Sequence, residues 1–539
     1  MPWLRYNLVL IALWSAPLVF AQNKDEKKVD APPKKKPKFT VGKETTYVDG
    51  PIDKDGYIDY VAALNDKLRE GVTPDNNANV LLWKAFGPNP GGAKVLPGFF
   101  EAMKMPAPPQ QEDYFIDLDS FMRKRLKLNP RDYAEKLHDE FQAATEKPWT
   151  AKNFPHLEKW LAANEKPLAI AREATKRTHF YQPLLPPKVN GKSTTLIAAL
   201  LTGIQECRSL ASALTARAML RLGEGKTDDA WQDLQACHRL GRLIARGGTL
   251  IELLVGIAID QIASKADLDF LDSAKLDAKK VKNCLRDLQT LPPMPVTADK
   301  VDLAERFMFL DTVMQIDYHG VAHFEILSGG GAPPDLTNLT NLAARLLFAD
   351  VHWDSALRNG NIIFTRMATA MRLKDRTLRE KQLEVIERDI KTLKANLLTP
   401  AEFGKTLLGS KSLADAKGKY LGDVMITLLV PAVRKVQGAN DRSEQVQRNL
   451  HLAFALAAYQ RDEGRYPLKL EALAPKYLPA IPGDLFSGKT LVYRPADNGY
   501  LLYSVGVNGK DDGGRSSYAD DLPGDDLVVR MPIQKMREK

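Results

Sequence analysis

Between about 195 and 440, apolar residues recur every three or four positions, the spacing of one buried helix face. The stretch 209–248, SLASALTARAMLRLGEGKTDDAWQDLQACHRLGRLIARGG, holds two such faces joined by Gly-Glu-Gly-Lys at 223–226. Thr227 or Asp228 suits the second N-cap, and Gly247-Gly248 stops that helix. This spacing predicts a tetratricopeptide-like hairpin, although no repeat period extends it into a solenoid. The run Leu250–Ile259 follows, with Thr249 as N-cap and Glu252 as its capping-box partner, which predicts a buried core helix. Further helices are predicted over 274–288, 298–316, 336–350, 353–372 and 378–398, with GGGAPP at 329–334 as a hinge loop.

On either side the pattern is less regular. Pro and Gly interrupt 44–185, where short helices are predicted over 57–69 and 155–163. From 447 an apolar helix runs to Tyr459 and is stopped by Gly464 and Pro467. A short helix over 468–473 precedes strands at 490–494 and 499–505, turned at 496–498, and a last strand at 526–531. The predicted fold is mainly α: a helical-hairpin body with a small C-terminal α+β domain, one helix packed on an antiparallel sheet. The expected divisions are 1–21, 22–43, 44–185, 186–440 and 441–539.

Charge and the chain ends change this picture in two ways. Arg5, the apolar run Leu8–Leu13 and Val19-Phe20-Ala21 have the layout of a secretory signal peptide cut before Gln22. An extracytoplasmic chain without a membrane span is therefore expected. Residues 22–43 hold eight Lys against three acids, so that setting this +5 and Arg5 aside leaves about +3 of the formal +9 for the body. That segment reads as a solvated linker able to lie on an acidic envelope surface. A basic excess confined to one tail is no nucleic-acid footprint. Three Cys do not make a disulfide framework; Cys207 and Cys237 are expected as buried free thiols.

Several motifs resemble chemical sites and fail on spacing. DKDGYID at 53–59 would place Pro51 and Ala62 at the first and twelfth positions of an EF-hand loop, where oxygen ligands are needed, so a turn is expected. GKSTTL at 191–196 and GKT at 225–227 lack the earlier P-loop glycine, having Pro186 and Leu220 there. His319 and His323, with Glu325 near, stand four apart, but Gly320 occupies the zincin glutamate position.

The C-terminal order Gly-Arg-Tyr-Pro (464–467), Leu-Glu-Ala-Leu (470–473), Tyr-Leu-Pro-Ala-Ile-Pro-Gly-Asp (477–484) and Tyr-Ser-Val-Gly-Val-Asn-Gly-Lys (503–510), then Asp525-Asp526, resembles the globular domain of type II secretion major pseudopilins. The likeness covers about 90 residues. YVAALN at 60–65 and ARAMLRLGEG at 216–225 resemble a family of large bacterial exported proteins, which implies no particular activity. The pseudopilin resemblance implies one Ca²⁺ held by the loop after Tyr-Ser-x-Gly. Carried over by position, its ligands would be the Val505 carbonyl, Asn508, Asp525 and Asp526, with Asn508 standing where the family has Asp. A longer loop adds Asp511, Asp512, Asp520 and Asp521 as competing oxygens. The function expected is a non-enzymatic exported scaffold or interaction protein with protein partners. The rivals are a pseudopilus-like secretion component and a metal-dependent hydrolase using His319, His323 and Glu325.

Overall fold

The computed structural model describes residues 36–92, 95–189, 192–199, 201–319, 348–397, 400–430, 432–516 and 524–533. The export segment at 1–21, the GGGAPP loop, most of the 336–350 helix, His323, Glu325, Asp520 and Asp521 lie outside these residues. The fold is mainly helical, with a small three-stranded antiparallel sheet near the C-terminus. The described residues form two compact units, each joined from three separated segments: up to Lys67, Leu184–Ala199 and Val301–Arg434 in the first, and Leu68–Pro183, Leu200–Lys300 and Lys435 onward in the second.

The first unit is organised by buried polar side chains on the helix Arg306–His319. Asp317 accepts hydrogen bonds from the Tyr57 hydroxyl (2.8 Å), the Trp353 indole (2.9 Å) and the Lys38 amide (3.2 Å). Arg306 donates to Asn361 and Thr365 and lies 4.0 Å from the Tyr47 ring centre. Residues 36–43, expected as solvated linker, are mostly exposed, but Phe39 is buried with its ring edge-to-face on Tyr57 at 5.5 Å. DKDGYID forms the expected turn: Asp53 Oδ1 accepts the amides of Asp55 and Tyr57, each at 2.9 Å. Asp59 then caps the helix Tyr60–Leu68 through the Ala62 amide, at 2.9 Å.

In the second unit the predicted hairpin is the helices Ile204–Gly223 and Thr227–Ala245, followed by Leu250–Ser273. Thr249 and Glu252 form the capping box, with the Glu252 amide donating to Thr249 Oγ1 at 3.2 Å and the Thr249 amide to Glu252 Oε2 at 2.9 Å. The apolar run ends at Asp260, yet the helix continues to Ser273, since its buried acids find partners on the preceding helix. Gly241 and Gly256 let the two backbones touch: a methyl on Gly256 would stand 2.4 Å from the Gly241 carbonyl oxygen. Cys207, Cys237 and Cys284 are buried free thiols.

The long helix Val433–Glu463 joins the same core, where Trp231 lies 5.3 Å from Phe270 and 5.7 Å from Phe454 between ring centres. Its apolar residues Leu450 to Ala458 share that core with Leu502, Val529 and Met531 of the sheet. The sheet has the order β1 (Val492–Ala496), β2 (Gly499–Ser504), β3 (Leu527–Met531), with Tyr500 opposite Met531 and Ser504 opposite Leu527. Asn449 fixes the helix to the sheet by donating to the Leu527 carbonyl at 2.8 Å.

Candidate metal centre

The acidic loop leaves the sheet after Ser504 and returns at Leu527, so strand pairing brings its two arms side by side. Ser516 bridges to Asp525, and the Asp526 amide donates to the Arg515 carbonyl at 3.1 Å. Between the arms, carboxylate oxygens of Asp512, Asp525 and Asp526 lie within 4.8 Å of one another. Asp526 is buried, its oxygens accepting the amides of Gly514 (2.7 Å) and Asp512 (3.4 Å). Asp512 Oδ2 accepts the Asp525 amide at 3.0 Å and the Asn508 side-chain nitrogen at 3.2 Å.

The electrostatics follow from this crowding. Burial raises the Asp526 carboxyl above its ordinary value, the two amides pull it back, and the Asp512 and Asp511 charges push it up again. Asp512 is held down, first by the Asp525 amide, then by Asn508 and by the nearby Arg515 and Lys510 charges. Asp525 Oδ1 is buried with no hydrogen-bond partner among the described residues. Three converging carboxylates with one bare buried oxygen form a hard donor set suited to an oxygen-seeking cation.

The other residues expected at the site are placed differently. Asn508 turns its amide nitrogen towards Asp512, and its oxygen accepts the Lys510 amide at 2.6 Å. Asp511 accepts the Tyr503 hydroxyl (3.0 Å) and the Gly513 amide (2.8 Å), away from the three-carboxylate group. Val505 directly follows β2, and its amide donates to Asp484 Oδ2 at 3.2 Å. Asp484 had no assigned role, although it closes the motif at 477–484. It is 2 % exposed and accepts four groups: the Ser504 hydroxyl (2.7 Å), the Val505 amide, the Phe486 amide (2.9 Å) and the Ser487 hydroxyl (2.9 Å). It thereby fixes where the first arm of the loop begins.

No protein-family model, curated protein or solved structure matches this chain. The reading of the site therefore rests on its geometry.

A second polar cluster lies inside the hairpin core. His238, fully buried, is 2.8 Å from Asp260 through Nδ1 and 2.8 Å from Asp267 through Nε2. With an acceptor at each nitrogen the ring is held as imidazolium, and its pKa is pushed up to about 9 by the two aspartates against the opposing effect of burial. Asp260 also accepts Arg242 Nε (3.3 Å) and Gln447 Nε2 (2.9 Å), and its pairing with His238 and Arg242 outweighs burial. At Asp267 burial wins and raises the carboxyl. His451 is lowered to about 4 by burial and by the Arg242 charge, so it stays neutral beside this cluster. Both His238 ring nitrogens are engaged, so the cluster joins helices and offers no free base. Its spacing across two helices left no mark in the sequence pattern. His319 ends its helix at the edge of the described residues.

Proposed function

We propose that this chain is an exported scaffold or interaction protein whose C-terminal sheet carries a structural Ca²⁺ site. The observation that carries the reading is the convergence of Asp512, Asp525 and Asp526, with a bare Asp525 oxygen, across the neck of one loop. Those three carboxylates would hold the cation, which supplies positive charge where like charges now crowd and so ties the loop's two arms together. Asp484 and Gly514 set the positions of the arms. The helical body offers surface for protein partners, and Arg5 with the apolar run behind it supports export. No helix among the described residues is long and apolar enough to cross a membrane.

Calorimetric titration of the full chain with Ca²⁺ tests this. The expected result is one site with a dissociation constant of about 10⁻⁴–10⁻³ M, the range of extracellular modules. Asp512→Asn should weaken it by about tenfold or more while the melting temperature of the cation-free chain stays level. No heat and no thermal shift at millimolar Ca²⁺ would sink the reading. Because Asp526 lies above the ordinary carboxylate value, protons compete with the cation sooner than at a free Asp. Affinity should therefore begin to fall at a higher pH on acidification than carboxylates of about 3.9 would give.

A further inference from the structure

At the end of the sheet opposite the acidic loop lies a cavity of about 110 Å³, lined by Asp272, Arg461, Tyr466, Asn498, Tyr500 and Met531. The Asp272, Tyr466 and Asn498 side chains make no hydrogen bond or ion pair among the described residues. Among the described residues the Arg461 guanidinium meets neutral acceptors, the Leu276 carbonyl at 3.1 Å and the Gln460 side-chain oxygen. Asp272 is the penultimate residue of the helix Leu250–Ser273, an end where the helix dipole disfavours an anion. Asp272, Arg461 and Asn498 stand at the exposed mouth of this cavity, where the two opposite charges have no ionic partner among the described residues. The buried Tyr500 hydroxyl has no hydrogen-bond partner among them.

The walls define the rest of the recognition. Tyr466 and Tyr500 stack edge-to-face with centres 5.1 Å apart, and burial raises Tyr466 above its ordinary value, so its hydroxyl remains a donor. Met531 closes the apolar side. A cavity of about 150 Å³ accepts benzene, so this smaller one suits a ligand of about five or six heavy atoms. A ligand with only one charge would pair one of Asp272 and Arg461 and leave the other to water. A neutral polyol would leave both.

We infer that this cavity binds a small free α-amino acid, its carboxylate on the Arg461 fork and its ammonium on Asp272, with Tyr466 and Asn498 completing the polar contacts. The site is separate from the acidic loop and owes nothing to the cation reading.

Isothermal titration of the full chain in metal-free buffer with glycine and L-alanine tests it, with acetate, methylammonium and glycerol as probes lacking one or both charges. The expected result is saturable binding of an amino acid, with each single-charge probe weaker by about tenfold or more. Asp272→Asn should weaken binding by about tenfold or more, and Tyr466→Phe by severalfold. Neither substitution removes a hydrogen bond or ion pair among the described residues, and Tyr466→Phe would keep the ring stacked on Tyr500, so both variants should keep the parent melting temperature; if one does not fold, the other carries the test. No heat from either amino acid at millimolar concentration would overturn the proposal. So would undiminished binding by a folded Asp272→Asn variant, or acetate or glycerol binding as tightly as glycine.

Discussion

Gly506 has φ of +67°, and a methyl there would stand 2.1 Å from the Asp525 carbonyl oxygen and 2.8 Å from Asp525 Oδ1. Both the backbone and the close approach of the loop's arms therefore demand glycine. Gly506→Ala should cost about 1–3 kcal/mol in urea denaturation of the full chain and remove any Ca²⁺-dependent thermal shift. Asp484 acts one layer further out. Asp484→Asn should lower Ca²⁺ affinity by about 10–100-fold, the usual effect of losing an outer support, as read by the same calorimetry. The acids at 525–526 were legible through the pseudopilin resemblance, which implies two acids just before the last strand. Asp484 was not, since it reaches Val505 only through the tertiary fold.

At the scale of elements, the hairpin depends on Gly241 and Gly256, where helix backbones meet at van der Waals distance. Gly256→Leu should force the helices apart and cost at least about 1–3 kcal/mol, measured as a loss of melting temperature by circular dichroism. The string GGTLIELLVGIAI displayed much of this in advance: the capping box is written in Thr249 and Glu252, and the helix starts where they place it. Its far end was hidden. A polarity pattern treats Asp260 as a stop, whereas His238 and Arg242 neutralise it inside the core. The strands were placed to within two residues because alternation and turn residues are local signals, and local signals survive in a sequence.

Two buried histidines with opposite shifts contribute to the whole molecule's response to pH. Asp269 and Asp311, each raised by burial to about 7, add stability that is lost as pH rises through that value. His238 rises from 6.5 to about 9, so between those values the unfolded chain has lost a proton that the folded chain keeps. Its stabilisation is complete below pH 6.5 and disappears as pH rises through 9. His451 falls to about 4, so below 6.5 the unfolded chain takes up a proton that the folded chain refuses, and stability declines on acidification. Denaturation midpoints should fall as pH rises from 6.5 through 9, and His238→Gln should flatten that fall. The division into two units was beyond the sequence, because each is assembled from three segments and apolar spacing carries no record of which distant segments meet.

That interleaving has a consequence for how the chain is made. A ribosome releases residues in order, yet neither unit is a contiguous stretch of that order. The first cannot close until the segment ending at Arg434 has emerged, and the second must wait for the strand Leu527–Met531. Until residues 353–361 emerge, the helix Arg306–His319 is present without Trp353 and Asn361, the later residues to which its buried Asp317 and Arg306 pair. Domain-by-domain folding during synthesis, the usual protection of long chains, is closed to this topology. Newly made protein should therefore lean on holdase chaperones for most of its elongation, and ribosome-bound chains stalled before residue 434 should remain sensitive to protease throughout.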